Sequence, residues 1–224
     1  MDAGLHRVRW SLCCDPLTAF RGVAAPDPVE AIQMETIKFR FRGSSPILIQ
    51  SDRLVNPIDP MTVALREVTG KKKKTESDHQ QIARIEYAAQ IYHDDKLGPY
   101  IPALNIDACV AAGATLSKRG KDVKRAFMVL EDRVKLEYDG PRTIDGLFGD
   151  PRFVDFRSVV IAGKRTMRTR PIFREWAVAF EAAYDPEIFN RRDLIACVEA
   201  AGRYAGLGTY RPRFGRFLPE VADG

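Results

Sequence analysis

Trp176-Ala177-Val178-Ala179-Phe180-Glu181-Ala182-Ala183-Tyr184 places Trp176, Val178, Phe180, Ala182 and Tyr184 at every second position. Side chains of a strand alternate between the two faces of a sheet, so this period predicts a half-buried β-strand. Far upstream, Glu35-Thr36-Ile37-Lys38-Phe39-Arg40-Phe41-Arg42 has the same period, with Ile37, Phe39 and Phe41 on the apolar side. Amphipathic helices able to cover such a sheet lie between and after these strands.

After Tyr184, Asn190 reads as a helix N-cap with Asp193 in the first turn. Leu194, Ile195, Val198, Ala201 and Ala205 form the apolar face of that helix. Asn105 is expected to cap an earlier helix with Ile106, Cys109, Val110, Gly113 and Leu116 on one side. The small residues Ala111 to Ala114 would let that helix pack closely on a sheet. Short strands are expected at Val159-Val160-Ile161 and from Phe214 to Leu218. The resulting order, strand, helix, strand, strand, helix, strand, predicts an α+β, ferredoxin-like (RRM-like) antiparallel sheet with two covering helices. A helix starting at Ser77, with Gln80 completing a capping box, and extended segments over 126–138 are expected as insertions. A short helical stretch ends at Thr69, and Lys71 to Lys74 follow on a thumb-like protrusion.

These readings give one RRM-like domain over 35–218, with insertions near 52–100 and 126–156 and a tail at 219–224. Residues 1–34 carry Pro16, Pro26 and Pro28 and no sustained period. They read either as a disordered arm or as sequence upstream of a start at Met34.

Of the 224 residues, 45% are apolar and 29% charged, a balance that supports a packed core. No stretch approaches the roughly 18–20 apolar residues of a membrane span. Cys13, Cys14, Asp15 and Pro16 break the apolar residues of the first segment, so no secretory signal is expected and a cytoplasmic location is. Cys13, Cys14, Cys109 and Cys197 make no C-x-x-C pair, and Cys109 and Cys197 read as small buried side chains.

The net charge is +5, with a pI near 9.1. Its distribution says more than its size. Lys71 to Lys74 form one cluster, and Lys118, Arg119, Lys121, Lys124 and Arg125 a second. Lys164, Arg165, Arg168, Arg170 and Arg174 form a third, and Arg203, Arg211, Arg213 and Arg216 a fourth. Base gathered at loops beside glycines fits a polyanionic partner.

Signals for catalysis are weaker. His6 lies in the detached segment, and His79 and His93 would share a helix face about 20 Å apart. Asp94 with Asp95, Asp52 with Asp59, and the spaced Asp145, Asp150 and Asp155 do not make a specific metal-binding set. Neither G-x-S-x-G nor a P-loop is present. No catalytic residue, metal or cofactor is assigned.

Three segments combine cations with features that suit nucleic acid. Ser117-Lys118-Arg119-Gly120-Lys121 sets cations beside a glycine. Lys164-Arg165-Thr166-Met167-Arg168-Thr169-Arg170 alternates base with Thr or Met, so a strand there is expected to turn its charges to one face. The same pattern would also protect an exposed edge strand from aggregation. Tyr210-Arg211-Pro212-Arg213-Phe214-Gly215-Arg216-Phe217 interleaves arginine with rings, a pattern that suits stacked bases and held phosphates. Phe214 and Phe217 would equally fill a core.

The chain resembles the RAMP superfamily of CRISPR-associated proteins, above all the backbone subunits that coat guide RNA. The resemblance rests on Ile37 to Phe41 with Ser45-Pro46-Ile47-Leu48, on Ile101-Pro102-Ala103-Leu104-Asn105, and on Gly206-Leu207-Gly208 with Phe214-Gly215-Arg216-Phe217. The ending is also similar to uncharacterised phage and mobile-element proteins. The resemblance implies a modified RRM-like core, an inserted thumb and head-to-tail assembly along single-stranded nucleic acid. It brings no alignable cleavage aspartate, and the sequence has no aromatic RNP motif.

The expectation is a non-enzymatic protein that binds single-stranded RNA or DNA and self-assembles along it. Arg165, Arg168 and Arg170 would hold phosphates from the sheet face, with Lys118, Arg119 and Lys121 beside the first core helix. Arg211, Arg213 and Arg216 would act near the final loop. Replacing Arg165, Arg168 and Arg170 with Ala is expected to weaken binding and leave the fold intact. The alternatives are a metal-dependent nuclease using His93, Asp94 or Asp95, and a structural or protein-interaction module of a phage or mobile element.

Overall fold

The computed structural model describes residues 33–161 and 163–222. Expectations for the arm, including His6, Cys13 and Cys14, fall on residues outside those described. The element order is β1 (Glu35–Gly43), β2 (Ile47–Leu48), α1 (Pro60–Thr69), α2 (Glu76–Gln90), β3 (His93–Asp94), β4 (Gly98–Pro102), α3 (Ala103–Ala114) and α4 (Gly120–Ala126). It continues with β5 (Phe127–Val129), β6 (Arg133–Glu137), α5 (Ile144–Gly149), β7 (Val154–Ile161), β8 (Lys164–Phe173) and β9 (Ala177–Tyr184). The chain closes with α6 (Arg191–Ala200), which runs into a π-helical turn at Ala201–Ala205, and β10 (Phe217–Ala222).

The protein is an α+β structure with antiparallel sheets. The main sheet runs β10-β1-β9-β6-β4-β3, with β5 also paired to β9. Alternation decides its two central strands. Ile37, Phe39 and Phe41 of β1 are buried, and so are Trp176, just before β9, and Val178, Phe180, Ala182 and Tyr184 within it. The strands pair with Phe39 opposite Phe180 and Phe41 opposite Val178. Phe41 stacks on Phe217 of β10 at 4.0 Å and meets Phe180 edge-on at 4.9 Å. Its outward neighbours form ion pairs on the open side, Arg40 with Glu137 at 2.5 Å and Arg42 with Glu220 at 3.6 Å.

The buried core joins this sheet face to α3 and α6, including Ile106, Cys109, Val110, Leu194 and Val198. Among the small residues of α3, Gly113 serves a contact with the helical turn after α6. A Cβ on Gly113 would lie 2.3 Å from the backbone nitrogen of Ala201, so only glycine permits this approach.

Several expectations are corrected. The segments near 126–138 are not insertions: Phe127, Val129, Val134 and Leu136 are buried, and β5 and β6 both pair with β9 inside the main sheet. The strand expected at 159–161 lies instead in a long hairpin, β7–β8, which with β2 makes a separate sheet ordered β2-β8-β7. The α2 capping box is Thr75 with Asp78, two positions before Ser77 with Gln80. That helix ends at Gln90, which puts His93 in β3 and off the helix face of His79. α3 starts after Pro102, so Asn105 lies in its first turn and is not its cap. Asn190 does cap α6, accepting the Asp193 N–H at 2.8 Å.

Among the described residues, no helix is long and apolar enough to cross a membrane. Cys109 and Cys197 are buried and unpaired.

Candidate nucleic-acid interface

The hairpin register separates the three arginines read together in β8. Arg168 lies opposite Arg157 and Arg170 opposite Asp155 without interruption. Arg165 is an odd number of residues from both, so it projects from the other face, beside exposed Met167, Val160 and Phe156. The expected single basic face is therefore divided.

Arg168 and Arg170 are committed to packing. The free edge of β8 at Thr169 is closed by two side chains one turn apart on α2. Glu86 Oε2 accepts the Thr169 N–H at 3.0 Å, and Gln90 Nε2 donates to the Thr169 carbonyl at 3.1 Å. The flanking arginines reach back to the same pair, Arg168 Nη1 to Glu86 and Arg170 Nε to Gln90 Oε1 at 3.2 Å. Glu86 is 2% exposed and Arg170 7% exposed. An open strand edge is a template for unwanted pairing, and this four-residue clamp closes it. Arg170 has no carboxylate partner among the described residues, and its Nη1 is buried without a hydrogen bond. Its charge lies 5.0 Å from the ring of Tyr210.

Tyr210 belongs to the second cluster, the loop between the π-helical turn and β10. Glycine at 215 lets this loop fold back on itself: φ is +75°, and a Cβ there would lie 1.7 Å from the Leu207 carbonyl oxygen. The backbone N–H groups of Leu207, Thr209 and Gly215 donate to Gly215, Leu48 and Pro46, all at 2.8–2.9 Å. Cys109 Sγ donates to the Gly206 carbonyl at 3.1 Å, tying the loop to α3. Burial pushes the Cys109 thiol up to about 12, although the nearby Arg211 opposes the shift. This cysteine is a packing group, not a nucleophile.

With its backbone thus satisfied, the loop leaves Arg211, Arg213 and Arg216 exposed. None of the three forms an ion pair among the described residues; Arg216 Nε donates to the Pro212 carbonyl at 2.9 Å. Arg157 of β7 lies 4.7 Å from the Phe214 ring and 5.4 Å from the Tyr210 ring, while its charge is paired with Asp155 at 3.1 Å. Phe217 is buried, as a core residue would be, and Phe214 is half-buried. The structure thus brings the loop and the base of the hairpin together.

Beside this loop opens a cleft of about 260 Å³ with Ile49 and Ile101 among its walls. Gln50, Tyr92, Asn105, Thr209 and Arg211 supply its polar groups, and no carboxylate lines it among the described residues. Sequence reasoning misses Gln50, takes Tyr92 only for part of the helix that starts at Ser77, which ends instead at Gln90, and takes Asn105 only for a helix cap. Nothing in a linear pattern shows that β2, β4 and the last loop converge.

The third cluster lies elsewhere. Arg119, beyond the C-terminus of α3, binds Asp193 at the start of α6 at 2.8 Å and sits 4.0 Å over the Phe189 ring. The last loop follows the far end of α6, after its π-helical turn, and touches α3 only at its middle, at Cys109. The ten residues of α6 lie between the two sites, about 15 Å at helical rise. Arg119 is therefore spent on joining two helices, whereas Lys118 and Lys121 remain exposed without an ion pair among the described residues. In the lysine run, Lys71 pairs with Asp78 at 2.5 Å and Lys74 Nζ donates to the Lys71 carbonyl at 2.9 Å.

The acids weighed for a metal site also have other tasks. Asp59 caps α1 and pairs with Arg53 at 3.1 Å. Asp94 accepts the N–H groups of Lys96 and Leu97 and pairs with Arg133 at 2.6 Å. Asp145, Asp150 and Asp155 pair with Arg84, Arg152 and Arg157. His93 Nε2 bonds the Arg142 carbonyl at 2.8 Å. Among the described residues, no group of three or more His, Cys, Asp or Glu is arranged to hold a metal ion. No protein-family model and no curated protein matches the chain.

Proposed function

We propose that the chain is a non-enzymatic protein that binds single-stranded RNA or DNA through its phosphates and assembles along it. The carrying observation is the loop from Tyr210 to Arg216, where three exposed arginines without carboxylate partners among the described residues stand beside an exposed tyrosine on a glycine-fixed backbone. Cations of this kind release counterions when they meet phosphates, and rings among them accept bases of any sequence. The phosphate contacts fall to Arg211, Arg213 and Arg216, with Lys118 and Lys121 as a second, separate patch. Arg165 acts from the hairpin; Arg168, Arg170 and Arg119 act only as scaffolding.

The sheet order β10-β1-β9-β6, with α3 and α6 on one face, supports a ferredoxin-like core of the RAMP kind. Self-assembly is supported by the outer face of the hairpin, where Phe156, Val160 and Met167 are each more than half exposed. Apolar side chains grouped on one protruding face are the material of a subunit contact.

Size-exclusion chromatography with absorbance at 260 and 280 nm, before and after high salt and nuclease, tests this reading. A large species rich in 260 nm absorbance that collapses on treatment is the expected result. A monomer that carries no nucleic acid and binds no added oligonucleotide would refute it.

A further inference from the structure

A sheet edge left open invites another strand, and this chain guards its edges unequally. β10 carries Pro219, which has no N–H to offer, followed by Glu220, and β3 spans only His93–Asp94. β8 is covered by β2 and, beyond it, by Glu86 and Gln90. β7 has no such guard: it is the outer strand of its sheet and contains neither proline nor lysine. Its cation, Arg157, turns its guanidinium to Asp155 and the Phe214 ring. The clamp also fixes which way the β7 backbone points. Glu86 and Gln90 meet the Thr169 peptide groups from the side away from β7, so Phe156 and Thr169 form a non-hydrogen-bonded pair. Pro171 opposite Val154 agrees, since a proline has no N–H for the other kind of pair. The pattern repeats every second residue, so Phe156, Ser158 and Val160 aim their N–H and C=O groups outward. All three are exposed, and nothing among the described residues bonds those groups.

We infer that a second copy of this chain pairs with this edge, β7 to β7, antiparallel about a two-fold axis at Ser158. Antiparallel strands exchange bonds between residues that both aim outward. Centred on Ser158, 155–161 of the two copies pair, Phe156 meets Val160 of the second copy, and Arg157 meets its Val159. Aromatic and β-branched residues are favourable cross-strand partners. Centred on Arg157 instead, the same edge sets two guanidinium groups opposite each other, which is unfavourable. The Ser158 register also joins the exposed Phe156, Val160 and Met167 of both hairpins into one apolar face. The pairing rests on the self-assembly in the proposed function and on none of its strand contacts. A two-fold contact closes on itself, so the unit of that assembly is a pair of copies.

Analytical ultracentrifugation of the full chain, stripped of nucleic acid by nuclease and high salt and returned to moderate salt, tests the pairing. Wild type is expected to move with concentration from its 25.2 kDa mass toward twice that value. Ser158→Lys and Ser158→Glu each set like charges face to face and should each weaken the dimer by about fivefold. An equimolar mixture of the two variants places opposite charges there and should restore it. Thermal melts of both variants should match wild type, since Ser158 is exposed and its peptide groups lie outside the β7–β8 hydrogen bonds. Wild type that stays a monomer at every concentration, a dimer indifferent to both variants, or a mixture no tighter than its components overturns the pairing. No nucleic acid is present, so these outcomes leave strand binding to be judged separately by oligonucleotide anisotropy.

Discussion

Strand β8 and the loop from Tyr210 to Arg216 carry similar numbers of arginines and look alike in sequence, yet their charges meet opposite fates. In β8 two of three arginines are drawn into a clamp with Glu86 and Gln90 that closes a sheet edge. In the loop all three stay at the surface because backbone contacts to Pro46, Leu48 and Leu207 already hold the chain in place. Arginine density therefore does not separate a scaffold from an interface. What separates them is whether the surrounding polar groups need the guanidinium for their own satisfaction.

The largest test of this contrast is Glu86→Ala. It leaves the Thr169 N–H unsatisfied and Arg168 without its partner, a loss expected to cost about 3 kcal/mol. The lower end of the usual range applies because the Arg168 side chain is 29% exposed. Urea denaturation should show this as a lower midpoint, and Arg168→Ala should fall similarly by stranding a buried carboxylate. The triple replacement of Arg165, Arg168 and Arg170 is thus expected to damage the fold. Arg165→Ala alone should change stability by less than about 0.5 kcal/mol. A triple variant as stable as wild type would erase the distinction between the two regions.

The clamp is illegible in sequence for a physical reason. Alternation at β1 and β9 is a local property, so both strands can be read from a few residues, as can the Asn190 cap. The clamp depends on α2 meeting β8 some 80 positions away, with Glu86 and Gln90 spaced one helical turn apart against a single exposed peptide. A buried glutamate reads like any surface glutamate until its partner is known. The same limit hides the place of β5 and β6, which read as extended but are too short to reveal that they belong beside β9. It also hides the cleft, where Gln50, Tyr92, Asn105 and Thr209 join Arg211. By contrast, the basic loop is legible because glycine, arginine and ring spacing are local, and the structure leaves those arginines exposed.

On the loop side, Gly215→Ala should cost more than about 1 kcal/mol, since φ there is +75° and the new Cβ would collide with backbone. The expected signature is a fall in oligonucleotide affinity larger than the fall in stability, measured by anisotropy beside thermal melts. Arg211→Ala with Arg213→Ala should instead leave the melt unchanged and weaken binding. Each phosphate of a single strand that the protein ceases to neutralise lowers the slope of log affinity against log salt by about 0.7, so the pair should flatten it by about 1.4. Lys118→Ala with Lys121→Ala, at the far end of the helix layer, should flatten it less. Equal effects at the two patches would mean that the strand crosses the helices.

The smallest effect concerns how α2 is held in position to clamp β8. Its capping box gives Asp78 hydrogen bonds from the Thr75 N–H and hydroxyl, and Lys71 lies 2.5 Å from its carboxylate. Lys71 first, and then Thr75, hold the Asp78 carboxyl at about 2, below its ordinary 3.8. A depressed folded-state pKa means that the fold favours the ionised form, so this contribution is complete above pH 3.8 and lost as pH falls through about 2. Asp78→Asn should be slightly less stable than wild type at neutral pH, and urea midpoints of the two should converge across that acid window. Acid in that window should therefore loosen the support of the clamped strand. Midpoints that stay parallel through the window would show that the cap does not contribute to holding α2 against β8.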